Sequence, residues 1–286
     1  MKVYYECGPC FLRQAREAMD LSSDDEELKI QLMKEVFLFL AENYNENASS
    51  NGTGSKIHKM IKEKTGCYDP YIDEKINGNE LALKYLPMVK DLLKKDDSLE
   101  NYVKIAIIGN LLDFGAFELG TDIEKFIIDS FDKKLAINNT PNLESDLKKH
   151  KNLLYLVDNV GEIVFDKLFL KKIKEYDIKI TIAVKEKPIL NDACMEDALA
   201  IGLDDFGEIV SIGTDTVGVV YTEISQKFKE IFDNSDFIIS KGLGNYEGLT
   251  ETNLDGKDVY FLLCAKCSAI AKDLNINLQD MIIIKN

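Results

Sequence analysis

At 286 residues, 45% hydrophobic and 30% charged, the chain can bury one extensive core or two modest ones and has the balance of a globular protein. Fifty acidic residues against 35 Lys and Arg leave a net charge of −15, which argues against a nucleic-acid-binding face, since such faces are basic. No apolar run approaches the roughly 20 residues of a membrane span, and the opening Met1-Lys2-Val3-Tyr4-Tyr5-Glu6-Cys7 lacks the apolar core of a signal peptide, so a cytoplasmic location without a membrane partner is expected.

The first half reads as helices. Ser23 followed by Glu26 fits a capping box, and from Leu28 to Leu40 apolar residues recur at helical spacing. Residues 45–55 are rich in Asn, Ser and Gly and are expected as a loop. Helical patterns follow over about 56–64, 80–94, 100–112 and 123–131, with no convincing strand before residue 150. Residues 138–142, which include Pro141, mark a boundary between a helical domain, 1–140, and an α/β domain, 141–286. Beyond it, apolar runs at 153–157, 179–184, 208–212, 237–240, 259–264 and 281–284 alternate with helical patterns such as 163–176 and 222–234. That alternation predicts an α/β fold, a doubly wound, mostly parallel sheet preceded by an all-helical domain.

In such folds ligands bind at the carboxyl ends of the strands, so the residues just after each run matter most. Leu153-Leu154-Tyr155-Leu156-Val157 runs straight into Asp158, Asn159 and, at the start of the next helix, Glu162. Hard oxygen donors gathered there suit Mg²⁺ or Mn²⁺, although Asp and Asn also serve as helix caps. The later loops carry Asn191-Asp192, then Gly213-Thr214-Asp215-Thr216-Val217-Gly218, then Lys241-Gly242-Leu243-Gly244-Asn245-Tyr246. Four polar loops in succession, three of them bearing glycine, are more than turns require.

The cysteines add a second theme. Cys7 and Cys10 form one pair, Cys264 and Cys267 another, and Cys67 and Cys194 stand alone. If the pairs meet, they make a thiolate site for zinc or iron, or a redox centre; the alternative is buried packing cysteines. The only histidines, His58 and His150, lie in lysine-rich helical surroundings and read as surface residues. A P-loop, a Gly-x-Gly-x-x-Gly turn after the first strand and a Gly-x-Ser-x-Gly elbow are all missing.

Taken together, Asp158-Asn159-x-x-Glu162, Asn191-Asp192, the 213–218 loop, Lys241-Gly242-x-Gly244-Asn245-Tyr246 and Gly109-Asn110-Leu111-Leu112-Asp113 resemble the metal-dependent damage-control phosphatases, domain of unknown function 89. Cys7, Cys10 and Lys266-Cys267 resemble an archaeal-type branch with paired cysteines. The resemblance implies a divalent metal, Mn, Ni, Co or Mg, held by Asp158, Asn159 and Asp192. It implies a phosphate-contacting Lys241, substrate-facing Asn110 and Asp113, and a pocket shaped by Gly242, Asn245 and Tyr246. Asp158 then doubles as ligand and base, and Glu162 supports the substrate side or the ligands. The expected reaction is hydrolysis of a phosphomonoester of a small metabolite: a sugar phosphate, a phosphopantetheine-like compound or a damaged intermediate. The rivals are an S-adenosylmethionine-dependent methyltransferase, which shares the sheet architecture, and a non-enzymatic cysteine-based metal or redox module.

Overall fold

The computed structural model describes residues 1–112 and 122–286. The chain opens with α1 (Cys7–Ser22), α2 (Glu26–Asn43), α3 (Ser50–Thr65), α4 (Ile72–Leu93), α5 (Leu99–Leu111) and α6 (Ile123–Phe131). A two-residue strand β1 (Ile137–Asn138) and α7 (Thr140–Lys149) lead into β2 (Asn152–Leu156), α8 (Glu162–Ile173), β3 (Lys179–Val184), α9 (Met195–Ala200) and β4 (Glu208–Ser211). Then come α10 (Gln226–Asp233), β5 (Phe237–Lys241), α11 (Gly242–Leu249), β6 (Asp258–Cys264), α12 (Ser268–Asp273) and β7 (Met281–Lys285).

The sheet order is β1-β7-β6-β5-β2-β3-β4. Strands β6, β5, β2, β3 and β4 run parallel, and β7 pairs antiparallel with β6. The expected α/β class and mostly parallel sheet are therefore present, with a helical N-terminal region. The strand parity divides the core into two layers. Leu153, Tyr155 and Val157 face one side with Phe237, Ile239, Tyr260 and Leu262, where α5 and α8 cover them with Ile105, Ile108, Phe165 and Phe169. Leu154, Leu156, Ile238, Val259 and Phe261 face the other side, under Phe228, Phe232, Leu249 and Ile270 of α10, α11 and α12. A third cluster, built by Phe11, Met19, Leu32, Val36 and Ile61, binds α1, α2 and α3 to one another.

Four sequence-based expectations need correction. The strand β1 was not expected; its two residues pair with Ile282 and Ile283 of β7 and are too short to show a periodicity. Asp25, not Ser23, caps α2, its side chain accepting from Glu27 N at 3.0 Å and Leu28 N at 3.1 Å. The expected loop at 45–55 ends early, because Ser49 caps α3 and residues from Ser50 onward are helical. Their poor helix propensity is overridden by tertiary bonds: Ser55 Oγ accepts from Val217 N at 2.9 Å, and Asn51 Nδ2 donates to Gly244 O at 2.7 Å. Finally, His58 is buried beside Ile57 and Ile61 rather than on the surface, and burial, aided by Lys62, pulls its pKa down to about 4.

Among the described residues no helix is long and apolar enough to cross a membrane. The layer between α8 and the sheet is dense: Phe169 is fully buried, edge-on to Tyr155 with ring centroids 6.2 Å apart. Phe169→Ala is expected to cost about 3–5 kcal/mol, read as a shifted denaturation midpoint with an unchanged slope.

Candidate active site

The strand order reverses between β2 and β5: β3 and β4 extend one way, β6 and β7 the other. At such a switch point the loops leaving the carboxyl ends diverge and open a crevice. Two backbone bonds then join the loops after β2 and β3. Val160 N donates to Asn191 O and Ala193 N to Asp158 O, both at 2.9 Å, and Asn159 and Asp192 form an isolated bridge. Asp158, Asn159 and Asp192, 34 residues apart at the extremes, thus stand side by side.

Two glycines let other elements approach. A Cβ on Gly109 of α5 would meet Glu162 Cα at 3.3 Å, so α5 packs directly on the start of α8. Asn110 Nδ2 consequently reaches both Asp158 Oδ2 and Glu162 Oε2, each at 2.7 Å. Gly242 has φ +76°, and a Cβ there would fall 1.8 Å from Asp158 Oδ2; only glycine fits.

A cleft of about 310 Å³ opens at this edge, lined by Asn110, Asp158, Asn159, Asp192 and Lys266, with Cys7, Cys10 and Asn51 of α1 and α3 on its wall. Burial pushes the Asp158 carboxyl well above the usual range, with the charges of Asp192 and Glu162 adding to it and Lys266 and Lys185 opposing. Burial also raises Asp192, against the pull of Lys185, whose Nζ lies 3.3 Å away. Asn110 Oδ1 is buried without a hydrogen-bond partner, and Asp192 Oδ2 has only its ion pair with Lys185. Crowded buried carboxylates beside an unpartnered amide oxygen suit a hard divalent cation, and the residues present fit one.

A second grouping of potential ligands, Asp146, His150 and Asp258, has its donor atoms within 4.8 Å of one another. It lies at the amino end of β6, the opposite edge of the sheet. Lys285 Nζ sits 2.8 Å from both Asp146 Oδ2 and Asp258 Oδ1, and Lys149 Nζ 3.1 Å from Asp258 Oδ2. Although buried in part, Asp258 is held well below the usual carboxylate range by hydrogen bonds from Lys285, His150 and Lys149. Its charge is already met, so this is an ion-pair cluster in which a metal would displace two lysines.

The other expected site residues divide sharply. Lys241 does not line the cleft. It shares strand parity with Phe237 and Ile239, so it points beneath the site into the α5–α8 layer. There, fully buried, its Nζ binds Glu162 Oε1, Asp166 Oδ1 at 2.7 Å and Ala106 O at 3.0 Å. Asp166 and Glu162 hold Lys241 charged despite its burial, while burial raises Asp166 to about 6. Asn245 is a backbone brace, donating to Val157 O at 2.9 Å and Lys241 O at 2.8 Å. Tyr246 donates to Asp273 Oδ2 at 2.7 Å and packs edge-on against Phe261. Asp113 lies outside the described residues.

All six cysteines are free thiols. Cys7, Cys10 and Cys267 line the cleft. Cys264 shares parity with Tyr260 and Leu262 and lies in the sheet core, where burial raises its thiol to about 11. A four-thiolate site is therefore not assembled. Of the cations lining the cleft, Arg13 pairs with Glu17, whereas Lys266 stands beside the aspartates, its Nζ donating to Asn110 O. It stands two residues past the end of β6, the same signal of a polar residue after an apolar run that marked Asp158. Lys185, one residue past β3, is equally placed, with Nζ donating to Gly218 O at 2.9 Å.

A family model described as the damage-control phosphatase ARMT1-like domain matches residues 3–282. An uncharacterized protein of Methanocaldococcus jannaschii is 38% identical over 100% of this chain and 96% of its own length. Damage-control phosphatases of Pyrococcus horikoshii and Archaeoglobus fulgidus are 38% and 33% identical, over 100% and 99% of this chain and 99% and 98% of theirs. The crystal structure of a DUF89 family protein from Pyrococcus horikoshii superposes with a TM-score of 0.90 at 37% identity, covering 100% of this chain and 99% of that one. With the family model spanning nearly the whole sequence and the fold shared end to end, the chain belongs to the damage-control phosphatase ARMT1-like family.

Proposed function

We propose that the protein is a divalent-metal-dependent phosphatase acting on phosphomonoesters of small metabolites at the cleft between the sheet edge and α1–α3. The observation that carries this reading is the cluster of crowded, under-partnered oxygen ligands at the switch point. Asp158, Asn159 and Asp192 would hold the ion, with Mg²⁺, Mn²⁺, Co²⁺ and Ni²⁺ all compatible with oxygen donors. Once bound, such an ion supplies Lewis-acid polarisation of the phosphoryl oxygens. Lys266 is placed to neutralise a non-bridging oxygen, the electrostatic assistance phosphoryl transfer most needs. The negative charge that Asp158 shares with the neighbouring Asp192 and Glu162 is what such an ion would offset. Asn110 fixes the orientation of Asp158 through Oδ2, and Lys241 fixes Asn110 by anchoring Glu162.

The rivals fare worse against the same geometry. A methyltransferase needs a glycine-rich turn after the first parallel strand, where only Gly161 stands. A thiol module needs the cysteines together, and Cys264 is elsewhere. Zinc or iron at the cysteines would draw on Cys7, Cys10 and Cys267, three thiols rather than four, since Cys264 lies in the sheet core.

Metal-stripped protein should not hydrolyse p-nitrophenyl phosphate until one of the four ions is restored, and Asp158→Ala should lose at least ~10²-fold in turnover. Folded protein that stays inactive with every ion would overturn the reading. Lys266→Met should lower kcat/KM by about 10²–10³-fold with little change in melting temperature. Lys241→Met should instead cost about 3–5 kcal/mol of stability by stranding two buried carboxylates. The reverse pattern would return the phosphate to Lys241.

A further inference from the structure

A second cavity, of about 500 Å³, opens where α4, α5 and α8 meet, and it shares no residue with the cleft. Helix α8 reaches the cleft through Glu162 in its first turn. The cavity is lined by the later part of the same helix, from Lys167 to Lys172, and so lies toward its other end. Its volume is that of a small-ligand pocket. Leu86 of α4, Leu168 of α8 and Phe206 give it an apolar floor, and around them stand five lysines against only two acids, Asp97 and Glu175.

Most of that positive charge is already used. Lys172 is buried between Asp97 at 2.7 Å and Glu175 at 2.9 Å, above the ring of Tyr102. Lys94 pairs with Asp91 at 2.7 Å, and Lys167 donates to Ile201 O. Lys90 and Lys171 remain, exposed and without an acidic partner among the described residues. Each stands in the last turn of its helix, where a lysine also answers the carbonyl end. Such an end carries about half a unit of negative charge, so the two ends offset one of these ammonium groups and leave the other. The result is a positive mouth over an apolar floor, on a chain whose net charge is −15.

We infer that this cavity is a binding site for a small organic anion: a compact apolar body seats against Leu86, Leu168 and Phe206, and its phosphate, sulfonate or carboxylate is met by Lys90 and Lys171. The inference does not depend on the phosphatase reading, since the two cavities have separate linings. Neither half of the site is enough alone. Solvated ammonium groups hold an inorganic anion weakly, and it is burial of the apolar body that supplies the rest of the affinity.

The test titrates the full chain with anilinonaphthalene sulfonate, whose fluorescence rises as it leaves water, and then competes the dye with octyl phosphate, octanoate or orthophosphate. One saturable site is expected, emptied by octyl phosphate, octanoate or both, the stronger of the two naming the head group, and left filled by orthophosphate at the same concentration. Replacing both free ammonium groups, Lys90→Gln with Lys171→Gln, should weaken the dye about ten-fold. Added salt should weaken binding to the native chain far more than binding to the double variant. Both side chains are exposed, so the melting temperature should not move. A dye that finds no single saturable site, that binds the double variant as tightly as the native chain, that neither octyl anion displaces, or that orthophosphate displaces equally well would overturn the site.

Discussion

The cleft depends on a charge that never sees solvent. Lys241 is buried against Glu162 and Asp166, and these three groups are stable only as a set. With Lys241 in place, Glu162 can accept from Asn110, and Asn110 can hold Asp158. Remove the ammonium and the carboxylates below the site would have to protonate or repel. Burial makes this arrangement expensive to build and rigid once built, which suits a group that must hold ligands in register.

In a chain this acidic, positive charge at the sheet edge is local. Here it is confined to a few atoms: Lys266 at the cleft and Lys185 behind Asp192. The remaining negative charge keeps polyanions away from the rest of the surface. Local chemistry and net charge therefore work in the same direction, concentrating attraction for an anion at one point of that edge.

Much of the fold is legible in the sequence because parallel strands buried on both faces are continuous apolar runs, and each such run here ends where the chain turns polar. The same cue marks where Asp158, Asn159 and Asp192 stand. What escapes is direction. Lys241 and Cys264 look like loop-edge chemistry until strand parity is applied, and then both follow their apolar neighbours into the sheet layer. The start of α3 escapes for a different reason: Ser, Asn and Gly are poor helix formers, and only bonds to residues 217 and 244 make the segment helical. His58 is misread because surrounding lysines mask its apolar neighbours at helical spacing, Ile57 and Ile61. The role of α5 is also hidden, since nothing local says that a helix from the first half will cover a sheet made by the second.

The cleft draws its lining from both extremities of the chain, from Glu6 and Cys7 to Lys266 and Cys267. During synthesis the aspartates of the second half emerge long before the last wall does, and the first wall waits throughout. The cavity therefore closes only once residues 266 and 267 have left the ribosome, and its contacts are among the longest-range in the molecule. Until then the crowded carboxylates face water, where their mutual repulsion is screened and they interfere little with the folding of the layers beneath them.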